Sequence, residues 1–241
     1  MNRFDRTAIL LGKESTERLA NAHVTVCGLG AVGSYAVEAL ARAGIGHLRL
    51  VDYDIVNITN INRQLFALSS TVGLKKTQVA ENRVKDINPF CQVDIFDTYI
   101  DEISNPLIMD GRVDVMIDAI DSLSAKVHLI ANAYRKNIPV ISSMGAAGRL
   151  DANAIITADL SETHTCPLAR FVRRRLHRQD IQSGIRCVFS TEVAMKKKND
   201  DQIPHDGKRK APVLGSISYV TAIYGLKAAY EAIHILLNPG A

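Results

Sequence analysis

The sequence predicts an α/β fold: a doubly wound, mostly parallel sheet with helices on both faces and a small basic C-terminal extension. Three observations predict it. Short apolar runs alternate with segments of helical spacing through the first 150 residues, the order expected when crossover helices join parallel strands. The glycine run GLGAVG at 28–33 stands between the first apolar run and the first long helical segment, where a strand turns directly into a helix. The chain also has no tryptophan and only 5% aromatic residues within a 47% apolar content, which suits a sheet of Ile, Val and Leu covered by helices.

A chain of 241 residues allows one sizeable core and a modest appendage. Its 22% charged residues, fifteen glycines and seven prolines exclude wholesale disorder and a collagen-like or linker-like chain.

Taken in order, residues 4–19 have helical spacing and predict one or two short helices. Residues 23–27 form the first strand, the glycine run opens a helix through SYAVEALARAG, and residues 47–51 form a second strand ending at Asp52 and Asp54. This is a βαβ unit. The polar run VNITNINRQLF follows, then a helix over 75–87 stopped by Asn88-Pro89. Strands are expected at 93–96, 113–117 and 138–142, with a helix over 124–137. The glycine-rich SSMGAAGRLD then reads as a strand-to-strand turn. Residues 215–237 are apolar enough to raise the question of a membrane span, but Lys227, Glu231 and His234 recur at spacings of four and three. That pattern predicts a core-packed amphipathic helix with these residues on its polar side.

Charge divides the chain unevenly. Residues 161–210 carry twelve Lys or Arg against six Asp or Glu, a balance of +6, which leaves −2 for the remainder of a chain whose net charge is +4. The boundary is set at residue 160: a nucleotide-binding core over 1–160, and a basic substrate-facing extension with a closing helix over 161–241. The N-terminus MNRFDRTAILLGK lacks an apolar run with a cleavage site, so a cytoplasmic protein without a membrane span is expected. Cys27, Cys91, Cys166 and Cys187 are far apart with no CxxC, so no zinc is expected. Cys27 and Cys187 lie in apolar runs and read as buried thiols. Cys166, beside His164 in THTCP, is the one cysteine in a polar context and a candidate nucleophile.

Gly28, Gly30 and Gly33 form GxGxxG between strand and helix, with Asp52 at the end of the second strand. The helix N-terminus favours phosphate and the acid accepts ribose hydroxyls, which points to an adenosine phosphate without separating NAD from ATP. Asn57, Asn60, Asn62, Arg63 and Gln64 follow immediately after the ribose acid. Arg63 and Lys76 are candidate phosphate partners, and Asp118 and Asp121 are candidates to orient or hold magnesium. This set suits ATP better than NAD. Each cation also reads as an ordinary exposed side chain, and the asparagines as turn residues.

GLGAVGS, VDYDIVNITNINRQLF, VGLKKTQ and IDAIDS, in this order, resemble the ubiquitin-activating-like adenylating superfamily, which includes the thiamine and molybdopterin adenylyltransferases (ThiF, MoeB and HesA). The resemblance covers residues 1–145. It implies ATP and Mg2+, with Asp52 and Asp54 on the ribose, Arg63 and Lys76 on the triphosphate and Asp121 on the metal. It also implies that Arg6 reaches the phosphates of an opposite subunit in a homodimer. INPFCQV, VIDAIDS, SSMGAAGRLD, TADLSETHTCPLAR and CVFSTE are most similar to the bacterial tRNA threonylcarbamoyladenosine dehydratase family, over nearly the whole chain. That family uses ATP to cyclise the threonylcarbamoyl modification at tRNA adenosine 37. Adenylation turns a carboxylate oxygen into a leaving group, and the modification's own ureido group closes the ring with release of AMP.

This chemistry implies no thioester cysteine and no zinc pairs. Some resembling dehydratases have a cysteine before the last helix that makes contact with sulfur-relay proteins; here the stretch reads RKAPVLG. The basic extension fits tRNA, with contacts expected from Arg173, Arg174, Arg175 and Arg178 on one helix. Lys196, Lys197, Lys198, Lys208, Arg209 and Lys210 would contribute from an arm. Between Ser142 and Gly148, carbonyls and hydroxyls are expected to line substrate or a monovalent cation. Two other readings remain open: adenylation of the C-terminal glycine of a ubiquitin-like sulfur carrier, and nucleotide-dependent RNA binding without turnover.

Overall fold

The computed structural model describes residues 2–195 and 214–238. Lys196, Lys197, Lys198, Lys208, Arg209 and Lys210 lie outside them. The N-terminal segment forms α1 (Asp5–Leu11) and α2 (Lys13–Ala20). The βαβ unit is β1 (His23–Cys27), α3 (Gly33–Ala43) and β2 (His47–Val51). Then come α4 (Lys76–Ile87), β3 (Gln92–Phe96), α5 (Ser104–Ile108), β4 (Val115–Asp118), α6 (Leu123–Arg135) and β5 (Val140–Ser143). The chain continues through β6 (Ile155–Asp159), α7 (Pro167–His177), β7 (Arg186–Ser190) and α8 (Ser218–Leu237).

The seven strands form one sheet in the order β3-β2-β1-β4-β5-β7-β6. All neighbours are parallel except β6 and β7. The chain moves outward from β1 through β2 to β3 and returns to β4 on the other side of β1. The crevice beyond the carboxyl ends of β1 and β4 is therefore the topological switch point where such sheets bind ligands. Because strand side chains alternate between faces, Val26, Leu50 and Ile117 enter the core under α3 and α8, whereas Cys27, Val51 and Met116 enter the core under α6 and α7.

Several boundaries differ from expectation for identifiable reasons. The fourth strand begins at Val115 because Asp114 is tied sideways to His23: its carboxylate accepts the His23 N–H at 2.9 Å and its own N–H donates to the His23 carbonyl. The fifth begins at Val140, after Pro139, which has no N–H for the ladder. Helix α5 went unread because five residues around Pro106 carry no period. The glycine-rich segment after β5 does join two strands, but they are not neighbours, since β7 lies between them. Residues beyond 160 thus share the sheet and core of those before it.

Helix α8 is long and apolar enough to span a membrane by length and composition, but in this fold Val220, Tyr224, Ala228 and Ala232 are buried in the core under α3. Glu231 departs from the expected polar side. It is buried, accepts a hydrogen bond from the Thr157 hydroxyl at 2.7 Å and pairs with Arg186 at 3.2 Å, tying α8 to β6 and β7.

On α3, burial opposes ionisation of Glu38, but hydrogen bonds from Arg83 and Arg42 outweigh it and hold the carboxyl below its usual range. A depressed acid stabilises the fold above its unfolded pKa and loses that contribution as pH falls through its folded pKa. Glu38→Gln is expected to cost about 1 kcal/mol at neutral pH, since both arginines are partly solvated. In urea titrations the difference from wild type should shrink below about pH 4.

Candidate active site

The site is built where β1, β2 and β4 end. Gly28 has φ 89° and follows β1 directly. A Cβ on Gly33 would lie 1.7 Å from the Gly28 carbonyl oxygen, so only glycine lets α3 start this close to the turn. The backbone N–H groups of Gly30, Ala31 and Val32 make no hydrogen bond among the described residues. These free donors at a helix N-terminus form an anion-binding corner.

Asp52 frames that corner. Its Oδ2 accepts the Leu29 N–H at 2.6 Å and its Oδ1 accepts the Asp54 N–H at 2.8 Å. A carboxylate oxygen has a second lone pair, so both can still accept a ribose hydroxyl. Burial pushes the Asp52 carboxyl above its ordinary pKa, while Lys76 and the two N–H groups pull against the rise. Lys76, nearly buried at the start of α4, has its ammonium 2.8 Å from Asp54. Burial and the charges of Asp54, Asp121 and Asp52 push the Tyr53 phenol up, so these three carboxylates face one region. Asp121 is exposed and without a hydrogen bond or ion pair among the described residues. A free carboxylate is able to ligate a divalent cation.

Arg63 follows a short 3-10 helix, Ile58–Asn60, closed by Asn57 and Asn60, each side chain capping the other's end. Arg63 Nη1 donates to the Thr59 carbonyl and to Asn62 Oδ1, both at 2.8 Å, leaving its other N–H groups free among the described residues. Asn60 is occupied as a cap, and Asn62 donates to the Ser216 carbonyl at 3.0 Å. A Cβ on Gly30 would lie 3.7 Å from Gln64 Nε2.

Asp118 sits differently from the sequence expectation. It is fully buried below the rim, with Oδ2 accepting from Lys126 Nζ and Ser142 Oγ, both at 2.6 Å, and Oδ1 from the Ile120 N–H at 3.1 Å. Lys126 is also fully buried and donates to the Ser143 carbonyl at 3.0 Å. Register explains the meeting, since Asp118 pairs directly with Ser142 across β4 and β5. The ion pair shapes the loop that presents Asp121 instead of offering an open carboxylate. Lys126 was missed in sequence; its one signal is a lysine among Ala125, Val127, Leu129 and Ile130 on the buried side of α6.

In the turn after β5, three of the carbonyls expected to line substrate or a monovalent cation already have donors. Ser143, Gly145 and Gly148 carbonyls already accept from Lys126, from Arg149 and Tyr224, and from the Met195 N–H. Two of those donors are themselves cations. Cys166, the polar candidate, is buried at the start of α7, and all four cysteines are free thiols without access to solvent. Burial pushes Cys91 up to about 11, away from a reactive thiolate. No cluster of His, Cys, Asp and Glu suited to a metal is found among the described residues.

Helix α7 holds the expected basic row, but Arg173 turns inward, donating to the Leu160 carbonyl and to both Thr163 oxygens. Arg174, Arg175 and Arg178 are exposed. Arg174 and Arg170 flank the Phe171 ring, each 5.2 Å from its centre. Arg175 reaches Ser124 Oγ at 3.0 Å, which brings the basic helix to the start of α6, beside Asp121. Arg6 on α1 is exposed and makes no side-chain hydrogen bond or ion pair among the described residues.

Fold and site together define a nucleotide-binding protein of the doubly wound class, with a corner of free N–H groups, a buried acid at the end of β2 and two cations in the segments that follow it. A sequence profile of the ThiF family matches residues 4–241. The chain is 43% identical over 200 residues to the tRNA threonylcarbamoyladenosine dehydratase of Bacillus subtilis, covering 83% of this chain and 79% of that protein. Crystal structures of the Escherichia coli tRNA N6-threonylcarbamoyladenosine dehydratase superpose with TM-scores of 0.88 in complex with AMP and 0.87 in complex with ATP. They are 37% and 38% identical and cover 97% of this chain and 93% of theirs. The chain belongs to the ThiF family, in its tRNA threonylcarbamoyladenosine dehydratase branch.

Proposed function

We propose that this protein uses ATP to cyclise, with loss of water, the threonylcarbamoyl modification on tRNA adenosine 37. The observation that carries the reading is the whole-chain similarity to an enzyme solved with both ATP and AMP, in a chain whose glycine turn keeps three N–H groups free beside Asp52, with Lys76 paired to Asp54 close by. Asp52 and Asp54 hold the ribose, while the turn, Lys76 and Arg63 hold the phosphates. Mg2+, held by Asp121, would neutralise phosphate charge during transfer.

The chemistry balances without a protein nucleophile. A carboxylate oxygen of the modification attacks the α-phosphorus and pyrophosphate leaves. The ureido group then attacks the acyl carbon, gives up one proton and expels AMP, which carries away the carboxylate oxygen. Ring closure is intramolecular and gains from proximity, and the burial of all four cysteines is consistent with it. A sulfur-relay protein would find no accessible thiol here.

The tRNA is read as approaching along α7, with Arg174, Arg175 and Arg178 on its phosphates. Lys196 to Lys198 and Lys208 to Lys210, outside the described residues, are read as further phosphate contacts. The basic part beyond residue 160 thus faces substrate from the common sheet. Arg6 is assigned to the phosphates of a second subunit, which requires a homodimer. Ile9 and Leu10, 84% and 82% exposed on α1, offer apolar surface for it. The site of action is the cytoplasm, where this tRNA substrate is found.

The test is isotopic. With the modification's carboxylate labelled by 18O, AMP should carry one labelled oxygen and pyrophosphate none. Pyrophosphate release driven by a ubiquitin-like carrier, and not by modified tRNA, would replace this reading with sulfur-carrier adenylation.

A further inference from the structure

Helix α7 carries a pattern that its own stability does not explain. Arg170 and Arg174, with Arg178 at its end, are exposed and follow one another at intervals of four, so three guanidinium groups share one face within about 12 Å. Like charges at that interval repel. The helix dipole favours cations in the last turn, which accounts for Arg174 and Arg175, but Arg170 stands one turn in from the positive end. The helix holds no Asp or Glu. Asp180, the first acid beyond it, pairs with none of these arginines, and Arg170, Arg174 and Arg178 donate no side-chain hydrogen bond among the described residues.

Charge alone suits any polyanion, and the ring narrows the choice. Phe171 is only half-buried, and the guanidinium carbons of Arg170 and Arg174 stand over it, each 5.2 Å from its centre. Bases inside a duplex are closed off by their neighbours in the stack, whereas bases of an unpaired strand splay out onto aromatic rings and arginine planes. A guanidinium that stacks by its plane keeps its N–H edge for phosphate, so Arg174 serves both contacts.

The helix also lies where substrate must pass. Arg175 donates to Ser124 Oγ at 3.0 Å, at the start of α6, and Arg135 at the end of α6 donates to Gln179 Oε1 at 2.9 Å, just past α7. The basic track therefore begins beside Asp121 and continues to the far end of α6.

We propose that α7 takes an unpaired stretch of RNA, with one base stacked on the group of Arg170, Phe171 and Arg174 and the adjoining phosphates on Arg174, Arg175 and Arg178. This assignment rests on the reading of tRNA as substrate and adds to it a base contact, through Arg170 and Phe171, and a preference for unpaired strand.

The test uses the full chain and fluorescence anisotropy, with a mixed-sequence single-stranded RNA oligonucleotide and with the duplex it forms with its complement. The single strand is expected to bind more tightly. Phe171→Leu should weaken single-strand binding about tenfold, with duplex binding and the salt dependence unchanged. Arg178→Gln should instead flatten the salt dependence for both RNAs. Arg170→Lys keeps the charge and loses the plane, so it should follow Phe171→Leu; as an exposed position it carries the test if Phe171→Leu fails to fold. Equal affinity for strand and duplex, or a wild-type affinity ratio in Phe171→Leu and Arg170→Lys, overturns the proposal and leaves a plain phosphate-binding surface. Failure of the cyclisation reading is distinguishable: the modified nucleoside would then stay unchanged with ATP, while Phe171→Leu still lost single-strand binding.

Discussion

Lys126→Met is expected to cost about 3–5 kcal/mol of unfolding free energy, the penalty for stranding a buried charge. Asp118 and Lys126 are both fully buried and 2.6 Å apart. With the ammonium gone, Asp118 keeps only the Ser142 hydroxyl and the Ile120 N–H, too little to replace water around a carboxylate. Urea denaturation measures the loss. A second variant separates the ion pair from simple packing, since Lys126→Met combined with Asp118→Leu leaves no buried charge and should recover most of the stability. Equal losses in the single and double variants would show that volume, not charge, matters there. The pair also holds the Ile120 N–H next to Asp121, so Lys126→Met should weaken ATP turnover even where the protein remains folded.

Arg63→Ala is expected to lower kcat/KM by about 10²–10³, the usual loss when one preorganised donor to a developing negative charge is removed. The side chain is held by Thr59 and Asn62 on a turn that Asn57 and Asn60 lock by mutual capping. Its removal should therefore leave the melting temperature nearly unchanged. Arg63→Lys should recover little, because an ammonium on a flexible stem cannot keep the turn contacts and reach phosphate at once. Steady-state pyrophosphate release at several ATP concentrations reads the effect. A large fall in melting temperature would make Arg63 structural instead.

The parts of this fold that sequence reveals are those governed by local period. Alternating apolar residues in 23–27 and 47–51 gave β1 and β2 to the residue, and GLGAVG located the turn because a close strand-to-helix passage demands glycine. What sequence hides is pairing at a distance. The antiparallel β6 and the insertion of β7 between β5 and β6 depend on which edges are free once the parallel sheet exists. The same limit explains the site. Asp52, Arg63, Lys76 and Asp121 stand on loops or element starts at one sheet edge, where type and position suffice to suggest them. The burial of Asp118 depends on Lys126 returning eight residues later and on Ser142 from the next strand. Arg173 likewise looked like its outward neighbours until Leu160 and Thr163 supplied three acceptors.

The central claim is that this sheet edge activates a carboxylate for ring closure, and mass analysis of nucleosides tests it most directly. Threonylcarbamoyl-modified tRNA is incubated with the protein, with and without ATP, then digested. Loss of two hydrogens and one oxygen from the modified nucleoside, only with ATP and only with the protein, is the predicted result. An unchanged nucleoside at saturating ATP, with ATP intact, would contradict the account.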